Sequence, residues 1–301
     1  MQNSLLKVFD GYNYKTMCQD LSNLYRVYPL FEVENIGKSV LGRSIPAIRL
    51  GTGPRNIHYN GSFHANEWIT TILLMLFIEK CLQAYQKGQN FEGVNIYKLF
   101  KEKSLWIVPM VNPDGVELVQ NGFIADNNPY YREVLRANRG STNFSTWKAN
   151  IRGVDLNDQF PAFWEKEYSR RNTSGPAPLN YPGPYPLSEP EAKAIAHFTR
   201  KHDFELVIAF HTQGEEIYWG YRQMEPSRAK TIVRKMSRAS NYKTVRYVDS
   251  DAGYKDWFIY EWRKPGFTVE CGKGVNPLPL SQLSSIWPQV CKIMLIGLEC
   301  G

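Results

Sequence analysis

Two short motifs combine residue types that bind transition metals. His64 and Glu67 stand three residues apart in the sequence HANE, and His211 directly follows the apolar run Leu206–Phe210. Histidine and carboxylate side chains are ordinary zinc ligands, and a catalytic zinc ion takes three protein ligands and leaves a fourth position for water. The H-x-x-E pair alone is unspecific, since chance produces it in many chains and it is also typical of a helix start with a surface glutamate. Together with His211 it predicts a site for one zinc ion.

The positions of these residues relative to the apolar runs support the prediction. The chain has five histidines, of which His58 lies in the middle of a run and His197 and His202 lie in or after a helical pattern, so a structural role is the better interpretation for those three. Three of the apolar runs lead directly to a polar residue: one to His64, one to His211 and one to Glu270. In α/β sheets the ligand crevice lies beyond the carboxyl ends of the strands. The sequence therefore predicts that the three ends lie together.

Strand and helix patterns alternate along the chain and must position these residues. The predicted strands are short and β-rich: Phe31–Ile36, Ser44–Leu50, Asn56–Ser62, Ser104–Met110, Leu206–Phe210 and Phe267–Glu270. The predicted helices have apolar residues at helical spacing: Asn13–Tyr28, Trp68–Lys87, Glu189–Lys201, Pro226–Ser240, Tyr254–Trp262 and Leu283–Gly297. Such alternation predicts an α/β sandwich with a largely parallel or mixed sheet.

Composition limits the classes of protein to consider. The 301 residues are 43% hydrophobic and carry a net charge of +7, with Lys and Arg scattered rather than clustered, so a solvated surface is favoured over a nucleic-acid-binding face. No apolar run approaches the length of a membrane span. The five cysteines form no C-x-x-C pair, and the first residues lack the pattern of a secretory signal. We expect one catalytic domain over residues 1–301 and a cytoplasmic location, which a wall-binding module further upstream would change.

Six segments in order resemble the zinc metallocarboxypeptidases of the funnelin superfamily. They are GSFHANE at 61–67, VNPDG at 111–115, LRANR at 135–139, GVDLN at 153–157, FHT at 210–212 and FTVE at 267–270. The resemblance extends over nearly the whole chain. It implies a single-domain, three-layer α/β/α sandwich around a mixed, twisted sheet of about eight strands.

The resemblance also implies a role for each residue of the site. His64, Glu67 and His211 would hold one Zn²⁺, which lowers the pKa of water and polarises the scissile carbonyl. Glu270 would be the general base that takes the proton of the water and passes it to the leaving nitrogen. Arg139 would face the oxyanion of the tetrahedral intermediate.

Arg136, one helical turn before Arg139, would support it or bind substrate, and a surface position is an equal alternative. Asn157 would help to hold a carboxylate or amide of the substrate.

Two departures from the digestive carboxypeptidases concern substrate choice. Those enzymes usually follow the asparagine with an arginine that binds the terminal carboxylate of the substrate, whereas Asn157 is followed by Asp158, which favours an amine. Lys255 lies where the family sets its side-chain specificity, in GYKDW at 253–257, and favours a carboxylate. An amine and a carboxylate together describe the zwitterionic side chain of meso-diaminopimelate, a residue of bacterial peptidoglycan.

Further segments resemble the bacterial γ-D-glutamyl-diaminopimelate endopeptidases. They are HTQGEEIYW at 211–219 and NDQFP at 157–161; Gln213 stands where digestive enzymes commonly carry tyrosine, and we expect it to contact substrate. Tyr247 and Tyr254 are both candidates for the mobile tyrosine of the family, with a packed aromatic as the alternative for each. The leading hypothesis is a zinc peptidase acting on muropeptides. Its alternatives are a carboxypeptidase that releases acidic C-terminal residues and a non-catalytic anion-binding module.

Overall fold

The apolar runs form the centre of one mixed sheet in the computed structural model, which describes residues 4–122 and 128–301. The strands of the described residues are β1 (Phe31–Lys38), β2 (Ser44–Leu50), β3 (Arg55–Gly61), β4 (Asn90–Phe91), β5 (Val94–Asn95), β6 (Lys103–Val108), β7 (Phe204–His211), β8 (Glu216–Tyr218), β9 (Lys243–Val245) and β10 (Gly266–Glu270). Eight of them follow the order β1-β2-β6-β3-β7-β10-β8-β9, while β4 and β5 pair separately. Strands β6, β3, β7 and β10 are parallel to one another, and antiparallel pairs join β1 to β2, β2 to β6 and β10 to β8.

Helices cover both faces of this sheet. Those of the described residues are α1 (Tyr14–Val27), α2 (Ile69–Lys87), α3 (Ile96–Glu102), α4 (Pro113–Asn121), α5 (Tyr131–Ala137), α6 (Trp164–Arg171), α7 (Pro190–Lys201), α8 (Ser227–Ser240), α9 (Tyr254–Trp262) and α10 (Leu283–Cys300). Within residues 4–122 and 128–301, no helix is both long and apolar enough to cross a bilayer.

Alternating side chains of the central strands divide the core into two layers. In β7, Leu206, Ile208 and Phe210 pack with α1, α2, α8 and α10, whereas Val207 and Ala209 pack with α7 and α9 on the other face. This period of two is what an extended strand buried on both faces requires. Each fully buried Leu, Ile or Phe contributes about 1.5–3 kcal/mol, so the ends of these strands are held in fixed positions.

Local signals fix where several helices begin and end. The side chain of Asn13 accepts a hydrogen bond of 3.0 Å from the backbone of Thr16 and so caps α1. Pro190 occupies the first turn of α7, where its missing N–H costs nothing. Gly88 ends α2 in the left-handed region with φ of 61°, a conformation that favours glycine.

The predicted architecture is confirmed, with differences at element ends and in short elements. Each of the six predicted strands and six predicted helices is present, with bounds that differ by at most three residues. The prediction missed β4, β5, β8 and β9 as well as α3, α4, α5 and α6. These elements have two to nine residues, which is too short for a clear apolar period.

Candidate functional site

The three polar strand ends meet at one edge of the sheet, as predicted. Strand β7 lies between β3 and β10. In the register of the parallel pairs, Gly61 faces Phe210, and Glu270 faces His211. His64 follows β3 by three residues, just before a 3₁₀ turn, Ala65–Glu67. The strand order therefore brings both histidines, Glu67 and Glu270 together.

His64, Glu67 and His211 have the geometry of a metal-binding group. The Nδ1 atom of His64 lies 2.9 Å from Oε1 of Glu67, and Nδ1 of His211 lies 3.0 Å from Oε2. The two Nδ1 atoms are 3.3 Å apart. Two ligand atoms that are each ~2.0–2.1 Å from a tetrahedral zinc ion lie about 3.3 Å apart. The donor set and its spacing therefore fit one zinc ion.

Asp155 supports the orientation of His64 from outside the ligand group. Its Oδ1 atom lies 3.2 Å from Nε2 of His64, the ring nitrogen that faces away from the other ligands. Burial raises the pKa of Asp155, but the neighbouring His64 and Lys148 outweigh this effect and hold the pKa well below its usual range. A carboxylate on the second nitrogen fixes the ring and strengthens a metal-bound histidine. Sequence reasoning gave Asp155 no role, although it lies within the segment GVDLN.

Glu270 is a buried carboxyl group beside the ligands. Burial, followed by the negative charge of Glu67, raises the pKa of Glu270 to about 8. A group whose pKa is close to neutral pH is suited to accept and return a proton. Its position at the end of β10 agrees with the predicted general base.

Among the residues that the structure describes, the cation that forms an ion pair with this group is Lys148, not Arg139. Its Nζ lies 3.5 Å from Oε1 of Glu67. Burial lowers the pKa of Lys148, but the charges of Glu67, Asp155 and Glu270 raise it above the usual value, so the amine is charged at neutral pH. The backbone oxygen of Lys148 accepts a hydrogen bond of 2.9 Å from the N–H of Ala65, which ties the lysine to the turn that carries two ligands.

Arg139 and Arg136 are exposed near the end of α5. Within the described residues, neither guanidinium forms a hydrogen bond or ion pair with the ligand group. Arg139 is in the left-handed region, with φ of 55°, because the chain reverses at this point. We predicted Arg139 from its motif, but the fold brings a later segment, which contains Lys148, to the ligand group. The only sequence signal for Lys148 is that it lies shortly before GVDLN.

Asp158 has a partner already. Its two oxygens accept hydrogen bonds of 2.6 and 2.8 Å from the Nε and Nη2 atoms of Arg171. Burial and the charge of Asp155 raise the pKa of Asp158 to about 6 against the effect of Arg171. Asp158 was predicted to receive a substrate amine, but both of its oxygens accept hydrogen bonds from an arginine that follows 13 residues later, so its charge is already compensated within the protein.

A cavity of about 150 Å³ opens beside Glu270. Asn157, Lys255 and Asp256 contribute to its lining. Lys255 and Asp256 are buried and form an ion pair, and the Nζ of Lys255 also donates 2.9 Å to the backbone oxygen of Gly220. Burial raises the pKa of Asp256 despite the charge of Lys255. The cavity thus offers one positive and one negative group to a side chain, and its anion is Asp256, which the sequence prediction overlooked.

The remaining predicted contact residues are Tyr254, which also lines this cavity, and Tyr247 and Gln213. Tyr254 is fully buried, and its hydroxyl lies 3.0 Å from that of Thr199, as a packed aromatic does. Tyr247 is 44% exposed and donates a hydrogen bond of 2.9 Å to Glu225. Gln213 accepts a hydrogen bond of 3.3 Å from the backbone of Gly274. Of the two tyrosines, Tyr247 is the one whose exposure permits movement.

Comparisons with known proteins agree with this arrangement. A model of the family described as zinc carboxypeptidase matches residues 17–291. The gamma-D-glutamyl-L-diamino acid endopeptidase 1 of Lysinibacillus sphaericus is 48% identical over 288 residues, which are 96% of this chain and 72% of that protein. The uncharacterized protein YqgT of Bacillus subtilis is 43% identical over 273 residues, covering 89% of this chain and 72% of that protein.

Among solved structures, the carboxypeptidase A of Helicoverpa armigera superposes with a TM-score of 0.75 at 18% identity, covering 100% of this chain and 76% of that chain. At this identity the likeness concerns the fold, and it confirms the predicted sandwich.

Proposed function

The chain belongs to the zinc carboxypeptidase family, and from this membership we propose that it hydrolyses the γ-D-glutamyl–meso-diaminopimelate bond of peptides derived from peptidoglycan. The family confirms the predicted zinc metallopeptidase. The Lysinibacillus sphaericus relative, a gamma-D-glutamyl-L-diamino acid endopeptidase by name, supports the kind of bond. The observation that carries the choice of diaminopimelate is the Lys255–Asp256 pair in the cavity beside Glu270.

The ligand group and Glu270 account for the hydrolysis. His64, Glu67 and His211 would hold the zinc ion, which when bound supplies a Lewis acid for the scissile carbonyl. Glu270 accepts a proton from the attacking water and delivers it to the leaving nitrogen of diaminopimelate. Burial raises the pKa of Glu270, which suits a carboxyl group that has to take up a proton and give it up again near neutral pH.

Lys148 would stabilise the charge that develops on the carbonyl oxygen. Its amine lies at the ligand group and is held cationic by three surrounding carboxylates. A fixed positive charge acts most strongly where water is largely excluded. We therefore give Lys148 the role that the sequence led us to expect for Arg139.

The cavity would receive the side chain of diaminopimelate. Lys255 would bind the distal carboxylate and Asp256 the distal amine, each through a charge-assisted hydrogen bond. Asn157 lines the same cavity and would contact the main chain of the substrate. A substrate side chain that carries both charges is complementary to both members of the buried pair.

A carboxypeptidase that releases acidic residues is the second candidate, because Lys255 alone would favour it. Asp256 in the same cavity opposes it, since a single carboxylate would face a like charge there. A non-catalytic anion-binding module would not need Glu270 beside a complete His-Glu-His group.

Hydrolysis of defined peptides separates these functions. The purified protein is incubated with L-Ala-γ-D-Glu-meso-diaminopimelate and, in parallel, with a peptide that ends in an α-linked glutamate, each with and without a chelator, and the products are weighed by mass spectrometry. We expect diaminopimelate to be released from the first peptide only, and only without chelator. The Glu270→Gln variant is the control for a contaminating peptidase. Faster release of the terminal glutamate would favour the acidic carboxypeptidase instead.

A further inference from the structure

The segment after β10 returns to the ligand group and is bound to the segment after β7. The backbone N–H of Cys271 donates 2.8 Å to the oxygen of His211, and that of Gly214 donates 2.8 Å to the oxygen of Gly272. Four residues further on, the side chain of Asn276 reaches the ligands themselves. Two loops that each follow a site residue are thus joined at the ligand group.

The amide of Asn276 forms three hydrogen bonds at this junction. Its Nδ2 atom donates 3.3 Å to Oε1 of Glu67 and 2.8 Å to the backbone oxygen of Thr212, and its Oδ1 atom accepts 2.7 Å from the hydroxyl of Thr212. The two bonds to Thr212 fix the plane of the amide. Because Thr212 directly follows His211, this one side chain connects two of the three metal ligands.

We propose that Asn276 is a positioning residue that holds the Glu67 carboxylate in the orientation in which it binds zinc. Glu67 is buried, and the donors around it divide between its oxygens, with Thr212 N at 3.3 Å from Oε2 and Asn276 and Lys148 at Oε1. The ammonium group of Lys148 is a point charge that imposes no plane on the carboxylate, whereas the planar amide of Asn276 is held by two hydrogen bonds to Thr212. The amide therefore limits rotation of the carboxylate before the metal arrives.

Removing a residue that forms a hydrogen bond with a metal ligand typically weakens metal binding by about ten- to a hundredfold. The inference is independent of the peptide that is cut, because zinc binding is measured without a substrate. It would hold even if the proposed specificity for diaminopimelate were wrong.

The test compares Asn276→Ala with Gln282→Ala. Both substitutions remove a side-chain amide that holds the same loop. Within the described residues, however, the side chain of Gln282 forms hydrogen bonds with the backbone of Lys273 alone: its Nε2 atom donates 2.7 Å to the oxygen of Lys273, and its Oε1 atom accepts 3.4 Å from the N–H of Lys273. The zinc dissociation constant is measured by competition with a chromophoric chelator, and the thermal midpoint is measured on the metal-free proteins.

We expect Asn276→Ala to raise the zinc dissociation constant by about ten- to a hundredfold, with Gln282→Ala close to the wild type. Equal weakening by both variants, or none by Asn276→Ala, would overturn the proposal. If Asn276→Ala does not fold without metal, Thr212→Val serves in its place. That variant removes only the hydroxyl that fixes the amide, so we expect weaker zinc binding in the same direction, and an unchanged constant would refute the assignment.

Discussion

Replacing Lys148 by methionine tests whether this lysine stabilises the transition state. Methionine has a similar length and fills the same space without a charge. If Lys148 neutralises the charge that develops on the carbonyl oxygen, the loss should fall on kcat, because this charge is absent from the ground state.

The expected decrease in kcat follows from the surroundings of the Lys148 amine. Two unit charges ~4 Å apart at an effective dielectric constant of ~20 interact by ~4 kcal/mol. The side chain of Lys148 is 32% exposed, and solvent screens part of that interaction, which leaves about 3 kcal/mol. Since ~1.4 kcal/mol corresponds to a factor of ten in rate, kcat should fall about 100-fold, within the range of about 10²–10³ known for the loss of one oxyanion donor.

The assay is steady-state hydrolysis of the tripeptide L-Ala-γ-D-Glu-meso-diaminopimelate at saturating zinc. The zinc content of each variant is measured, because Lys148 also contacts Glu67. Arg139→Met is the matched control, since Arg139 is exposed and should be dispensable, and Lys148→Arg should recover part of the rate by restoring the charge. A Lys148→Met variant with more than about a tenth of the wild-type kcat, or a loss as large in Arg139→Met, would refute the reasoning.

Three other substitutions test the base, the cavity and a buried carboxyl group. Glu270→Gln should keep its zinc but lose at least about 100-fold in kcat, and a variant that retains a tenth of the activity would show that Glu270 is not the base. Lys255→Met should discriminate less than the wild type between tripeptides that end in diaminopimelate and in lysine, measured as the ratio of kcat/KM; an unchanged ratio contradicts the role of Lys255. Glu191 lies beside Asp114 and Glu189 and accepts hydrogen bonds from the backbone of Val40 and the amide of Asn150. Burial raises its pKa to about 8 from the usual 4.5, so its contribution to stability is full below pH 4.5 and is lost as the pH rises through 8. The thermal midpoint of Glu191→Gln should therefore fall less than that of the wild type between pH 5 and pH 9, and parallel curves would rule this out.

The sequence predicted those parts of the fold that have a strong local signal. Helix α9 was predicted at its observed bounds, Tyr254–Trp262, and α2 within one residue. Helix α6 was missed because only Trp164 and Glu167 of its eight residues are buried, so an apolar stripe hardly exists. Strand β8 has three residues and owes its structure to pairing with β10.

The ligand group was predictable because His211 ends a strand and His64 and Glu67 follow shortly after one, a pattern that a single sequence displays. Lys148 and Asp256 were not predicted, because their positions at the site depend on which distant side chains meet. The sequence shows that Asp158 is acidic, but it does not show that Arg171 compensates this charge, because the two residues meet only in the folded protein. Conversely, Asp256 adjoins Lys255 in sequence, and only the structure shows that both line one cavity.

The buried Lys255–Asp256 pair explains best why a zwitterionic side chain would be selected. A buried ion pair adds little net stability, since desolvation of the two groups offsets much of their attraction, but removing one partner leaves a buried, uncompensated charge that costs about 3–5 kcal/mol. A side chain with one carboxylate would bind Lys255 and leave Asp256 as a buried, uncompensated charge. A side chain with one amine would bind Asp256 and leave Lys255 uncompensated. A side chain with both groups can exchange partners with the pair so that every charge stays compensated. We therefore expect the penalty to fall on singly charged side chains, and this is the physical basis of the proposed preference of the cavity beside Glu270 for diaminopimelate over glutamate or lysine.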